Sequence, residues 1–187
     1  MINIGRHKNN NTNNSNDMYS SSKNTLIMDT AADQCTCGGP AWHVLNETDE
    51  KVWCNGYLKG KHVFKGPLLP LVSAITCVQV ENEEPFLLLV NHACYYNDPN
   101  QDESLCLTYQ AEKHGVTFSL TPRDRVDTNG TLGQQKFHIE GKDIPLKFDR
   151  RKMYIDIRLQ LEEEIDRLEV YELTTLMSFS EQFGSSY

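Results

Sequence analysis

The chain has no long basic run: 18 Lys and Arg stand against 26 Asp and Glu, for a formal charge of −8 over 187 residues. Phosphate contacts need concentrated Lys and Arg, so this balance argues against a nucleic-acid binder. Long apolar runs are also missing. Stretches such as Phe86 to Val90 fall far short of the roughly 20 residues a membrane-crossing helix needs, and the N-terminus lacks the charged-then-apolar pattern of a secretory signal. A soluble, intracellular, cytoplasmic protein with no membrane partner is expected. Cysteine occurs six times but never as Cys-x-x-Cys, and no His-x-x-x-His accompanies it. The short-loop pairing that gives zinc two adjacent ligands is therefore absent. Without a secretory signal the thiols are expected to stay reduced, with no disulfides. No Lys-Ser or Lys-Thr follows Gly38-Gly39-Pro40, so that stretch reads as a turn and not as a phosphate loop.

What is present divides into a polar leader and a β-rich body. Asn fills six of the eight positions 9 to 16, and Ser20, Ser21 and Ser22 follow. Such a tract cannot bury enough apolar area to offset its ordering entropy, and residues 1–24 are expected to be disordered. From Thr25 onward, short apolar runs alternate with turn residues: Leu26 to Met28, Val63 and Phe64, Leu68 to Val80, Pro85 to Tyr96, Val116 to Leu120, Phe137 to Ile139, Ile144 to Phe148, and Met153 to Ile157. Strand-length runs rich in β-branched and aromatic residues, broken at Asn55-Gly56, Gly66-Pro67, Asn129-Gly130 and Gly141, predict a mostly β protein. Two helices are predicted. One spans Ser104 to His114, with Asp102 near its start and Gly115 to end it. The other runs from Gln160 to about Leu173, with Leu161, Ile165 and Leu168 on one stripe and an acidic, solvated opposite face.

Leu26-Ile27-Met28-Asp29-Thr30-Ala31-Ala32-Asp33 is the segment most suggestive of chemistry. A carboxylate ending a buried strand loses hydration and must be paired or hydrogen-bonded, so such an aspartate is often functional. The plainer alternative is a strand followed by an Asp-initiated turn. Cys35 and Cys37 alternate along an expected strand and share a face, which suits core filling as well as metal binding. No His and third group are placed to activate a nucleophilic Cys.

The Asp29 segment resembles the active-site motif of retroviral-type aspartic proteases. Further stretches, in order, resemble the protease region of copia-type retrotransposon polyproteins: Pro70-Leu71-Val72-Ser73-Ala74-Ile75-Thr76; Pro85-Phe86-Leu87-Leu88-Leu89-Val90-Asn91-His92-Ala93; and Ser104-Leu105-Cys106-Leu107-Thr108-Tyr109-Gln110 through Gly115-Val116. Ile144-Pro145-Leu146 and Glu172-Leu173-Thr174 extend the likeness, which spans about residues 25 to 175. Ala111 after Gln110 is a mild departure. The resemblance implies an all-β, retropepsin-like closed β-barrel, one lobe of the acid protease fold, over 25–150. A short helix would follow the core, and a C-terminal strand-helix extension would occupy 151–187.

The implied activity is that of an aspartic endopeptidase of a retrotransposon polyprotein, of which this chain would be a piece. One catalytic aspartate per chain means that two copies of Asp29 meet in a homodimer. Thr30 would brace the two loops, with Ala31 and Ala32 completing each loop, and Asp33 would bind substrate backbone. A flap hairpin is expected within Val52 to Val63, with Gly56 and Gly60 as turn candidates. No metal or other cofactor is implied; the partners are a second copy and a polyprotein substrate. Ala31 stands where the family carries Gly, and its methyl group restricts the loop backbone. That departure keeps open an inactive, retroelement-derived peptide-binding or scaffold domain. A small zinc-binding β module is the third reading.

Overall fold

The structure is a computed structural model that describes residues 24–30, 32, 34–54, 66–119, 135–149 and 152–175. The Asn- and Ser-rich leader and the Val63-Phe64 run lie outside the described residues. Strands account for 60% of the described chain and helices for 11%. No described helix is long and apolar enough to cross a membrane.

The first half supplies β1 (Asn24–Asp29), β2 (Thr36–Gly38), β3 (His43–Trp53), β4 (Leu68–Val78), β5 (Phe86–Tyr96) and β6 (Glu103–Leu107). Helix α1 (Thr108–Lys113) follows, then β7 (Thr117–Ser119), β8 (Lys136–Ile139), β9 (Lys142–Pro145), β10 (Lys147–Asp149) and β11 (Lys152–Arg158). A single helical turn, α2 (Glu162–Ile165), precedes β12 (Val170–Thr174). The main sheet is mixed and runs β10-β11-β1-β6-β2-β5-β4-β3, with β12 added against β5. A further pairing of β11 with β4 returns the sheet on itself, so it rings through β11, β1, β6, β2, β5 and β4. Only Ile157↔Val78 and Arg158↔Cys77 make that closure.

Apolar side chains fill the ring. Leu26 and Met28 of β1, Val72, Ala74 and Val78 of β4, and Ile155 and Ile157 of β11 join one buried cluster. Their i, i+2 spacing is the pleat of a strand with one face inward. β4 and β5 read as near-continuous apolar runs because their second face is covered as well: Leu168 packs on Ile75, Cys77 and Leu87. A three-stranded sheet, β7-β8-β9, adds Phe137, Ile139 and Ile144 to the main cluster. Glu140 and Gly141, with φ of 48° and 86°, join β8 to β9 in a two-residue turn whose positive φ values suit Gly.

Both predicted helices are shorter than expected. Residues 103–107 form strand β6, parallel to β1, and only Thr108–Lys113 is helical. The slot beside β1 offers those residues a full hydrogen-bond ladder, which outweighs local helix propensity. Gly115, at φ 94°, does end the helix. The expected helix from Gln160 to Leu173 is corrected more deeply: after one turn the chain becomes β12, parallel to β5. Leu161 and Ile165 stay exposed, whereas Glu164 is buried against Arg158. The acidic face was expected to be solvated. A bidentate guanidinium partner makes burial of this one carboxylate favourable.

Candidate active site

Asp29 is placed by the strand that precedes it. Leu26, Ile27 and Met28 are buried, with β11 on one side and β6 on the other. Asp29 is the last β1 residue and is half-buried, while Thr30 beside it is exposed. Because β1 and β6 are parallel, with Asp29 opposite Leu107, the Asp29 loop and the start of α1 emerge at the same end of the sheet. Ala32 is half-buried against the main core. Ala31 and Asp33 lie outside the described residues.

The returning chain is fixed at several points. The Gln34 side-chain amide donates to the His92 carbonyl. Cys94 N–H donates to the Cys35 carbonyl at 2.9 Å. β2 then pairs parallel with β5 and, through Thr36↔Leu105, antiparallel with β6. The sheet order β1-β6-β2 therefore makes the Asp29 loop cross over the end of β6.

The seam between β2 and β6 is held largely by side chains. Leu105 N–H donates to Thr36 Oγ1 at 3.1 Å, and Leu107 N–H to Cys35 Sγ at 3.2 Å. Ser104 Oγ accepts from Gly38 N–H at 3.1 Å and from Trp42 Nε1–H at 2.8 Å. Buried backbone donors must find acceptors, and a three-residue β2 is too short to offer enough carbonyls. None of these partners is legible in the sequence, since each links residues more than 60 positions apart.

A bulge in β5 backs the loop. Val72 and Ala74 of β4 pair with Ala93 and Val90, so Asn91 and His92 together oppose one β4 residue. His92 has φ 55°, and its buried Nδ1 has no hydrogen-bond partner among the described residues. Asn91 ties the bulge to β12: its N–H donates to Thr174 Oγ1 at 2.9 Å, and its Nδ2 donates to Glu172 Oε1 at 2.6 Å. A bulge of this kind re-aims backbone groups, and here it presents the His92 carbonyl to Gln34.

Cys35 and Cys37 are fully buried core residues, as are Cys77 and Cys94 in their strands. All six cysteines are free. Burial, with Cys35 and Cys94 nearby, pushes the Cys37 thiol well above its ordinary range. Burial also pushes Cys94 up to about 12 and Cys77 to about 11. Such thiols are poor nucleophiles. Among the described residues no group of three or more His, Cys, Asp or Glu is arranged to hold a metal ion.

β3 and β4 form a long antiparallel hairpin that stays paired out to Trp53↔Leu68. The flap candidates Gly56 and Gly60 fall between these strands, outside the described residues. Trp53 and Leu68 are exposed, whereas Val52, Leu69 and Leu71 turn inward. Compared with models of known protein families, with curated proteins and with solved structures, the chain matches none of them.

Proposed function

We propose that this chain is one half of a homodimeric aspartic endopeptidase, retropepsin-like in fold, that processes a retrotransposon polyprotein inside the cell. The observation that carries the reading is the position of Asp29: half-buried at the end of a central buried strand, with its loop fixed on the return side by Gln34 and Cys35. A sheet that rings through six strands is compatible with a closed barrel, and the β3–β4 hairpin supplies a stalk for a flap.

In the dimer, two Asp29 carboxylates share one proton, because like charges a few ångströms apart do not both ionise. The ionised carboxylate takes a proton from water, which attacks the scissile carbonyl while the protonated carboxyl polarises it. A dimer doubles the charge of −8 to −16, so mildly acidic solution eases assembly.

The test is cleavage of polyprotein-derived peptides at mildly acidic pH, with inhibition by a transition-state analogue. Asp29→Asn is expected to lower kcat by about 10²- to 10⁴-fold. An Asp29→Asn protein as active as the wild type refutes the assignment. The competing reading, a peptide-binding or scaffold domain, is favoured by Ala31, which stands where the family it resembles carries Gly. Peptide binding or a stable monomer without cleavage would support it.

A further inference from the structure

The pairing that closes the ring stops short. β11 and β4 share Arg158↔Cys77 and Ile157↔Val78, and no pair carries the ladder on to Asp156 or Ile155. Where it ends there is a cleft of about 570 Å³, lined by residues 78–83 of the β4–β5 connection, by 143–147 at β9 and β10, by Lys136, and by Ile155 and Asp156 of β11. That volume lies within the roughly 300–1,000 Å³ of ordinary ligand sites. Val78, Val80, Ile144, Leu146 and Ile155 are buried and give the cleft an apolar base. One wall is a strand edge: among the described strands β9 pairs with β8 alone, so its other side can accept a further strand.

The charges around the cleft are unequal. Four carboxylates, Glu81, Glu83, Asp143 and Asp156, stand against Lys136 and Lys147. Three of the four are paired within the chain. Lys136 and His138 hold Asp143, Lys147 takes Oδ2 of Asp156, and Lys142 Nζ lies 3.3 Å from Glu83 Oε2. Lys142 is itself held over the Phe86 ring, 4.6 Å from its centre. Glu81 is exposed and has no ion-pair partner among the described residues.

We propose that this cleft binds an extended peptide by strand addition to β9, and that the peptide carries Lys or Arg between apolar residues. Successive side chains of an extended segment point to opposite faces. Apolar residues at i and i+2 therefore meet the base, while the basic residue between them turns to the mouth, where Glu81 is the unpaired charge. The peptide backbone supplies donors and acceptors to the β9 edge. An acidic peptide would meet the excess of carboxylates and is disfavoured. The site does not depend on the reading of Asp29: Ile155 and Asp156 pair with Leu26 and Thr25, near the start of β1, which Asp29 ends.

The experiment uses the full chain and the synthetic peptide acetyl-Val-Lys-Val-Lys-Val-amide, with binding followed by NMR chemical shifts and titration calorimetry. Shifts are expected at residues 79–83, 143–147 and 155–156. Glu81→Lys should weaken binding roughly ten-fold, and methylation of alternate peptide backbone nitrogens should do so by a similar factor. Val80→Ala, which removes part of the base, should weaken it by about three-fold; if that variant does not fold, the other two comparisons and the shift map decide. The same peptide with Glu in place of Lys should bind at least about ten-fold more weakly to the wild type and gain affinity for Glu81→Lys. No binding at about 1 mM peptide, shifts that map elsewhere, equal affinity for the two peptides, or an affinity unchanged by Glu81→Lys overturns the proposal. Backbone methylation without effect, or n-butylamine that shifts the same resonances as strongly as the peptide, makes this a small-amine site and overturns strand addition.

Discussion

Closure of the ring between β11 and β4 rests on two residue pairs, and Glu164 reinforces it from outside the strands. Its carboxylate takes Arg158 Nη1 at 2.7 Å and Nη2 at 2.6 Å, and it also accepts the Leu161 N–H at 2.7 Å. The Arg158 carbonyl in turn accepts from Thr76 Oγ1 at 3.1 Å, and the same hydroxyl donates to the Ala41 carbonyl at 2.8 Å. Hydrogen bonding from Arg158, with help from the Leu161 N–H, holds the Glu164 carboxyl at about 2, down from 4.5. At about 1.4 kcal/mol per unit, that depression is worth roughly 3 kcal/mol. About a third of the Arg158 side chain is exposed, and solvent screening brings a working figure to about 2 kcal/mol.

Glu164→Gln tests this directly. The amide keeps an acceptor for Leu161 but loses the charge. The sign follows from the depressed pKa: the stabilisation is complete above 4.5, and it is lost as pH falls through 4.5 towards 2. Wild type should therefore exceed Glu164→Gln by about 2 kcal/mol at pH 7, with a midpoint of thermal unfolding roughly 4–8 °C higher. By pH 3 roughly 60% of that gap should be gone. Urea unfolding followed by tryptophan fluorescence at pH 7, 5.5, 4 and 3 measures it. A gap that stays constant across that series refutes the assignment of the stabilisation to the Glu164 charge.

Two other outcomes follow from the packing. Gly39 has φ 71°, and a Cβ there would lie 1.7 Å from the Gln101 carbonyl oxygen; Gly39→Ala should cost more than about 3 kcal/mol in urea unfolding, and a loss under about 1 kcal/mol would contradict the described turn. Under native conditions at pH 8, a thiol reagent should label Cys54, the one cysteine not fully buried, ahead of the other five. Mass spectrometry showing Cys37 or Cys106 modified as fast as Cys54 would contradict their burial.

How far the sequence could be read depended on the range of the interactions involved. β1, β4, β5, β8 and β11 were legible because their apolar residues alternate or run together within windows of five to ten residues. The Asp29 segment was legible for the same reason: a short apolar strand that ends in a carboxylate is a local signal. Ser104–Leu107 and Val170–Leu173 were misread as helix because their helical spacing was visible and their strand partners, β1 and β5, were not. Glu164 was misread as solvated because Arg158 is six residues away on a different element. The links from Cys35 to Leu107 and from Gln34 to His92 had no sequence signal at all.

The amino-acid sequence by itself determined the β character of the chain, the break at Gly141, the end of α1 at Gly115 and the placement of Asp29 at a strand end. Each depends on side-chain size, polarity or permitted φ within a few residues. The tertiary structure decided which strands are neighbours, that the sheet returns on itself through Arg158, and that β2, β5 and β6 together hold the Asp29 loop. The pairings of β1 with β6 and β11, of β2 with β5 and β6, and of β4 with β11 join residues more than 50 positions apart, through backbone and side-chain hydrogen bonds alike, and such bonds acquire identity only when the ring is formed.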